Sequence, residues 1–136
     1  MTDDVAAEKL ESLRRCLLRI ETKTPATAAL LLADLDAQDI VSLNLQRAVQ
    51  LVVDLSLHIL STRELPLPNN MADCIRALVP LGLSEATAAR MTKAVGFRNV
   101  AVHAYRALDW NIVHAIAAGH FGDFRDFMRE FVRIAG

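Results

Sequence analysis

Apolar residues recur along this chain at helical spacing, and no stretch of strand length alternates with period two. Val5, Leu10, Leu13, Leu17 and Ile20 form the stripe of an amphipathic helix reaching about residue 22. Thr2 or Asp3 can cap it, with Asp3, Asp4 and Glu8 near its positive end. Thr24-Pro25 stops it, because proline disfavours helical geometry in the preceding residue. Residues 26–35, rich in Ala and Leu, read as a short second helix or as the approach to the next one. A long helix then starts at Asp36 or Asp39 and reaches about Arg63. It is apolar on nearly every side, as befits a central helix touched by several neighbours.

The polar residues of this long helix fall in one seam, Arg47, Gln50, Asp54, His58 and Ser61. The seam is either a solvated strip with Asp54 and His58 supporting each other at i,i+4, or a face turned toward residues 98–103 or toward a second copy of the chain. Leu65-Pro66-Leu67-Pro68-Asn69-Asn70 is a loop. Residues 71–81 read as a short helix stopped by Gly82, and Ser84 with Glu85 caps the next. Gly96 lies inside that helix and marks a bend or a close approach of backbones. Asp109 caps a last helix, whose stripe is Trp110, Val113, Ala117, Phe121, Phe124, Met128 and Phe131, weakened in its middle by Gly119 and Gly122. The pattern gives an all-α fold, an antiparallel bundle of four to five helices.

Composition narrows this further. At 136 residues and 53% hydrophobic, residues 1–136 are expected to form a single domain with its own core. Two cysteines, Cys16 and Cys74, are too few for a disulfide framework, and the chain opens without a signal peptide, so a reduced cytoplasmic setting is expected. His114 and His120 are six apart with no cysteine near them, so no metal site and no cofactor is expected. No uninterrupted apolar run reaches the roughly 18 residues of a membrane span. A pI near 6.4 excludes bulk-charge coating of nucleic acid, so any such contact needs a local patch. One exists: residues 86–108 contain no Asp or Glu, but do contain Arg90, Lys93, Arg98 and Arg106.

Inside that patch lies Arg98-Asn99-Val100-Ala101-Val102-His103-Ala104-Tyr105. Cleaving RNA without a metal needs a base for the 2′-hydroxyl, an acid for the leaving 5′-oxygen, and donors for the charge developing on phosphorus. Histidine suits the first two roles and arginine the third. Asn99 and Tyr105 can orient the imidazole or donate to phosphate. Asn99 and His103 share a face at i,i+4, also an ordinary helix-surface pairing, and Arg98 and Tyr105 share another at i,i+7. Arg98 and His103, five apart, lie roughly 140° around an ideal helix. One histidine is also one short of a separate acid and base. Both difficulties ease when two chains pack their motifs about a two-fold axis, which predicts a homodimer with a composite cleft.

These residues resemble the signature of HEPN-domain proteins in its Arg-x4-His-x-Tyr form, typical of the HepT-like toxins once catalogued as DUF86. The resemblance extends to the central helix around Leu45-Gln46-Arg47-Ala48 and Asp54-Leu55-Ser56-Leu57-His58-Ile59, to the Pro/Asn loop and to Ala107-Leu108-Asp109. It implies a homodimeric, metal-independent ribonuclease toxin with Arg98 and His103 catalytic, Asn99 supporting and Tyr105 regulatory. It also implies a minimal nucleotidyltransferase antitoxin that transfers AMP from ATP to that tyrosine. A bulky anion at Tyr105 would block the cleft and repel RNA phosphate. Arg90, Lys93 and Arg106 are candidate phosphate contacts, Asp54 and His58 a candidate supporting seam, and Trp110 and Phe97 candidate base-stacking rings. The rival reading is a non-catalytic helical module that docks a nucleotidyltransferase.

Overall fold

The computed structural model describes residues 3–119 and 121–136, without the side chain of Phe121. The possible cap at Thr2, the side chain of Phe121 in the last stripe, and His120 therefore lie outside the described residues. Seven α-helices and no strand occur among those described: α1 (Asp4–Lys23), α2 (Ala28–Leu32), α3 (Leu35–Thr62), α4 (Met71–Arg76), α5 (Glu85–His103), α6 (Trp110–Gly119) and α7 (Phe121–Ala135). The all-α reading holds. The long helices make the bundle, and the short α2 and α4 sit in its connections.

Local chemistry sets the helix starts. Asp3 caps α1, its carboxylate accepting from the Ala6 N–H at 2.9 Å. Asn70 caps α4 and Ser84 caps α5 in the same way. The start of α3 differs from expectation: Asp34, in an extended conformation, accepts from the Ala37 N–H, so the helix begins at Leu35 and Asp39 is left free of capping duty. Buried Gln38 donates to the carbonyls of Leu31 and Leu32, satisfying the otherwise open end of α2. The expected 71–81 helix is shorter. It stops at Arg76 and continues as a 3-10 turn, Val79–Leu81, because Pro80 offers no N–H and its ring obstructs a helical turn. Gly82 then ends the segment at φ +123°, a conformation that favours glycine. Asp109 accepts from the Asn111 N–H at 2.9 Å, as a cap for α6 should.

α3 is the axis of the bundle, packing against α1, α2, α4, α5 and α6. By length and composition it is apolar enough to cross a membrane, although Gln50, Asp54 and His58 interrupt its apolar run. More than half of that stretch is buried inside the bundle, the position of a core helix. Leu10, Leu13, Leu17 and Ile20 of α1 pack into the core with Val41, Leu45, Val52, Leu55 and Ile59 of α3. Each fully buried Leu or Ile contributes about 1.5–3 kcal/mol of transfer free energy. Val5 departs from its stripe: it is exposed and Ala6 is buried, since Ala6 stands one turn before Leu10 and Val5 does not. At the other end, Phe124, Phe127 and Phe131 of α7 are buried, and the Phe127 and Phe131 rings stack at 5.9 Å.

α5 runs unbroken through Gly96, and no other backbone approaches closely there: a Cβ placed at Gly96 would have nothing within 4 Å.

Candidate active site at the open end of α5

α5 carries the motif on its last two turns and ends at His103. Ala104 leaves helical geometry while its N–H still bonds the Val100 carbonyl at 2.8 Å. The chain then makes a 3-10 turn, Tyr105–Ala107. Tyr105 is therefore off the helix, and the expected shared face of Arg98 and Tyr105 does not form. Instead the Tyr105 and Trp110 rings meet in a T-shaped contact with centroids 5.7 Å apart, and the Tyr105 hydroxyl donates to Asp39 Oδ1 of α3 at 2.9 Å. Burial raises the Tyr105 phenol to about 12, with the Asp39 hydrogen bond and charge adding to the rise and a Ser42 hydrogen bond opposing it.

Arg98 is half-buried and leans toward α3. Its Nη2 donates to Gln50 Oε1 and its Nη1 to Asn99 Oδ1, both at 3.5 Å. Both acceptors are neutral amides, and among the described residues no carboxylate pairs with this guanidinium. His103 and Asn99 are exposed, and Val100 and Val102 beside them are 41% and 46% exposed. Apolar side chains so open around a polar cluster are not explained by packing within one chain.

The polar seam of α3 forms differently from the strip with mutual i,i+4 support. Asp54 accepts from Gln50 Nε2 at 2.9 Å and lies 3.7 Å from Lys9 Nζ, while His58 Nε2 bonds Asp3 Oδ2 at 2.7 Å. Asp54 and His58 thus tie α3 to α1 rather than to each other. The Ala6 N–H, followed by His58, holds the Asp3 carboxyl below its usual range. Among the described residues, Gln50 joins seam to motif, through Arg98. Beside it, an open groove of about 400 Å³ between α1 and α3 is lined by Ser12, Arg15, Cys16, Arg47, Gln50 and Asp54.

The candidate phosphate contacts separate in space. Arg90 faces α7 and lies 3.4 Å from carboxylates of both Asp123 and Asp126, so the acid-free stretch is acid-free only along the sequence. Lys93 and Arg106 are exposed and form no ion pair among the described residues. Trp110 and Phe97 are half-buried against the core, which leaves Trp110 engaged by Tyr105. His114 Nε2 donates to the Pro25 carbonyl at 2.8 Å. Among the described residues no three His, Cys, Asp or Glu side chains come together.

Sequence reasoning missed Asp39 as the partner of Tyr105, and Arg15 as a wall of the α1–α3 groove. Asp39, Leu43, Arg47 and Gln50, at steps of 4, 4 and 3, trace one face of α3. That face was legible, but nothing along the chain says that Tyr105 meets it.

Comparison with known proteins bears on the whole fold. A family model described as ribonuclease HepT-like matches residues 7–131. The mRNA nuclease HepT of Shewanella oneidensis is 31% identical over 127 residues, covering 93% of this chain and 95% of that protein. The tri-AMPylated Shewanella oneidensis HEPN toxin in complex with MNT antitoxin superposes with a TM-score of 0.89 at 29% identity, covering 97% of this chain and 98% of the toxin. A toxin–antitoxin crystal structure with AMP-PNP has a TM-score of 0.88 at 29% identity over 96% and 99% of the two chains.

Proposed function

The chain belongs to the ribonuclease HepT-like family, and from that premise we propose that it is an endoribonuclease acting as the toxin of a toxin–antitoxin pair in the cytoplasm. The observation that carries the reading is Arg98: a half-buried guanidinium held by two neutral amides keeps its charge for an incoming phosphate. His103 stands exposed on the same helix end, within reach of a polymer that no enclosed pocket would admit.

In this reading one His103 removes the 2′-hydroxyl proton, a second protonates the leaving 5′-oxygen, and Arg98 steadies the charge on the phosphorane. Asn99 supports the site. No metal takes part. Two chains supply the two histidines, and their contact would cover Val100 and Val102. Lys93 and Arg106 extend the phosphate track, whereas Arg90, already paired with α7, contributes little. Asp54 acts indirectly, by holding Gln50 against Arg98, and His58 by fastening α1 to α3.

Tyr105 is the switch. A minimal nucleotidyltransferase partner transfers AMP from ATP to its hydroxyl, placing a bulky anion two residues from His103. The similarity to an AMPylated toxin held by an MNT antitoxin supports this assignment.

The test pairs intact mass with an RNA cleavage assay in EDTA, on protein purified alone and after co-expression with such a partner. Cleavage by the unmodified form, lost when AMP mass appears on Tyr105, is the expected result. A protein silent in both states yet tightly bound to its partner would replace this reading with the docking module.

A further inference from the structure

Given Tyr105 as nucleotide acceptor, the reading on which this inference rests, we propose that Asp39 is the proton acceptor for the transfer, so that the modified chain supplies the base for its own modification. The hydroxyl that must become the nucleophile already donates to Asp39 Oδ1 at 2.9 Å, across 66 residues of sequence. Ser42, one turn further along α3, is buried, and its Oγ accepts from Gln46 Nε2 at 3.1 Å. The phenol oxygen thus has one neighbour at hydrogen-bond distance that can take its proton. Tyr105 is 37% exposed, which leaves its side chain open to a nucleotide from solvent. The edge contact with Trp110 fixes the ring's orientation.

The chemistry requires such a partner. Burial and the Asp39 contact keep the phenol protonated far above neutral pH, and a neutral phenol is a poor nucleophile. In the step proposed, Tyr105 Oη attacks the α-phosphorus of a nucleoside triphosphate. The new O–P bond forms as the bond to pyrophosphate breaks, pyrophosphate leaves with that electron pair, and the Oη proton passes to Asp39. Asp39 is exposed and returns the proton to water. Among the described residues Asp39 is the only charged group recorded against the hydroxyl. After transfer the aryl oxygen has no proton to donate and carries a phosphodiester beside a carboxylate, so the modified ring must leave α3.

Asp39→Asn isolates basicity from position, because the amide oxygen still accepts from the phenol. The experiment follows mass gain on the purified chain with ATP, Mg²⁺ and a partner nucleotidyltransferase across mildly acid to alkaline pH. The Asn variant is expected to be slowed by roughly 100-fold or more near neutrality, the usual scale of a lost general base. Its rate should climb with pH, where the wild type levels off, and Asp39→Glu should recover part of the loss. A thermal melt matching the wild type shows that the variant is folded, as exposure of Asp39 implies. Equal rates with the same pH profile in wild type and Asn variant overturn the inference and leave the modification itself standing. No transfer to Tyr105 in the wild type overturns the reading beneath it as well.

Discussion

The two halves of α5 share one helix and are built for opposite purposes. In the first, Thr87, Ala88, Met91 and Val95 are buried, and Arg90 is paired with carboxylates of α7. Buried Glu130 receives the Ser84 N–H at 2.7 Å and the Thr87 hydroxyl. Burial alone would raise the Glu130 carboxyl, but the hydrogen bonds from Thr87 and Ser84 outweigh it and hold it below the usual range. In the second half Arg98 reaches only neutral amides, while Asn99, Val100, Val102 and His103 face solvent. In the first half Thr87 and Arg90 find carboxylate partners on α7, whereas in the second Arg98 reaches only neutral amides and His103 is left to solvent. That contrast separates the part of the helix that holds the fold from the part proposed to meet RNA and a second chain.

Substitutions should split along the same line. His103→Ala or Arg98→Ala is expected to lower RNA cleavage by about 10²- to 10⁴-fold, the range for a lost acid–base group or charge donor, while the melting temperature stays near that of the wild type. Retained cleavage in both variants would remove the chemistry from this half of the helix. Glu130→Ala, on α7 against the other half, should cost about 2–3 kcal/mol in a denaturant titration, because it strands a buried hydroxyl and a half-buried N–H. Its folded fraction should cleave RNA normally. An unchanged stability would show that the network holds nothing.

Smaller effects sharpen the contrast. Gly96→Ala sits at the boundary with open space around it, and should add about 1 kcal/mol of stability through helix propensity alone. If cleavage falls while stability rises, a second chain approaches α5 at that point. The Glu130 carboxyl gives the least effect. Its folded value is depressed, so its contribution is complete above the unfolded carboxylate range and is lost as pH falls through the folded value. Glu130→Gln should accordingly flatten the acid limb of the melting-temperature profile. An acid limb identical to the wild type would contradict the assignment.

What could be read along the chain was what repeats locally. The Leu10, Leu13, Leu17 and Ile20 stripe, the apolar α3, and the caps at Asp3, Ser84 and Asp109 all follow from residues within a turn or two of each other. The motif itself was legible for the same reason. What escaped were single contacts between distant segments: Tyr105 with Asp39, Arg90 with Asp123 and Asp126, His58 with Asp3. One hydrogen bond or ion pair leaves no period in a sequence. The acid-free stretch misled for that reason too, since α7 supplies from outside the charges that residues 86–108 lack.

The central claim is that the open half of α5 becomes a site only when two chains meet. It is tested most directly by mixing wild-type protein with a nine-fold excess of His103→Ala protein under conditions that allow chains to exchange, and assaying RNA cleavage. A mixed dimer holds one intact His103 where the cleft needs two, one from each chain. Cleavage is expected to fall to roughly a tenth of that given by the same amount of wild-type protein alone, the share of wild-type chains that still find a wild-type partner under random two-fold pairing. Undiminished cleavage, with exchange verified by mass, would contradict the claim.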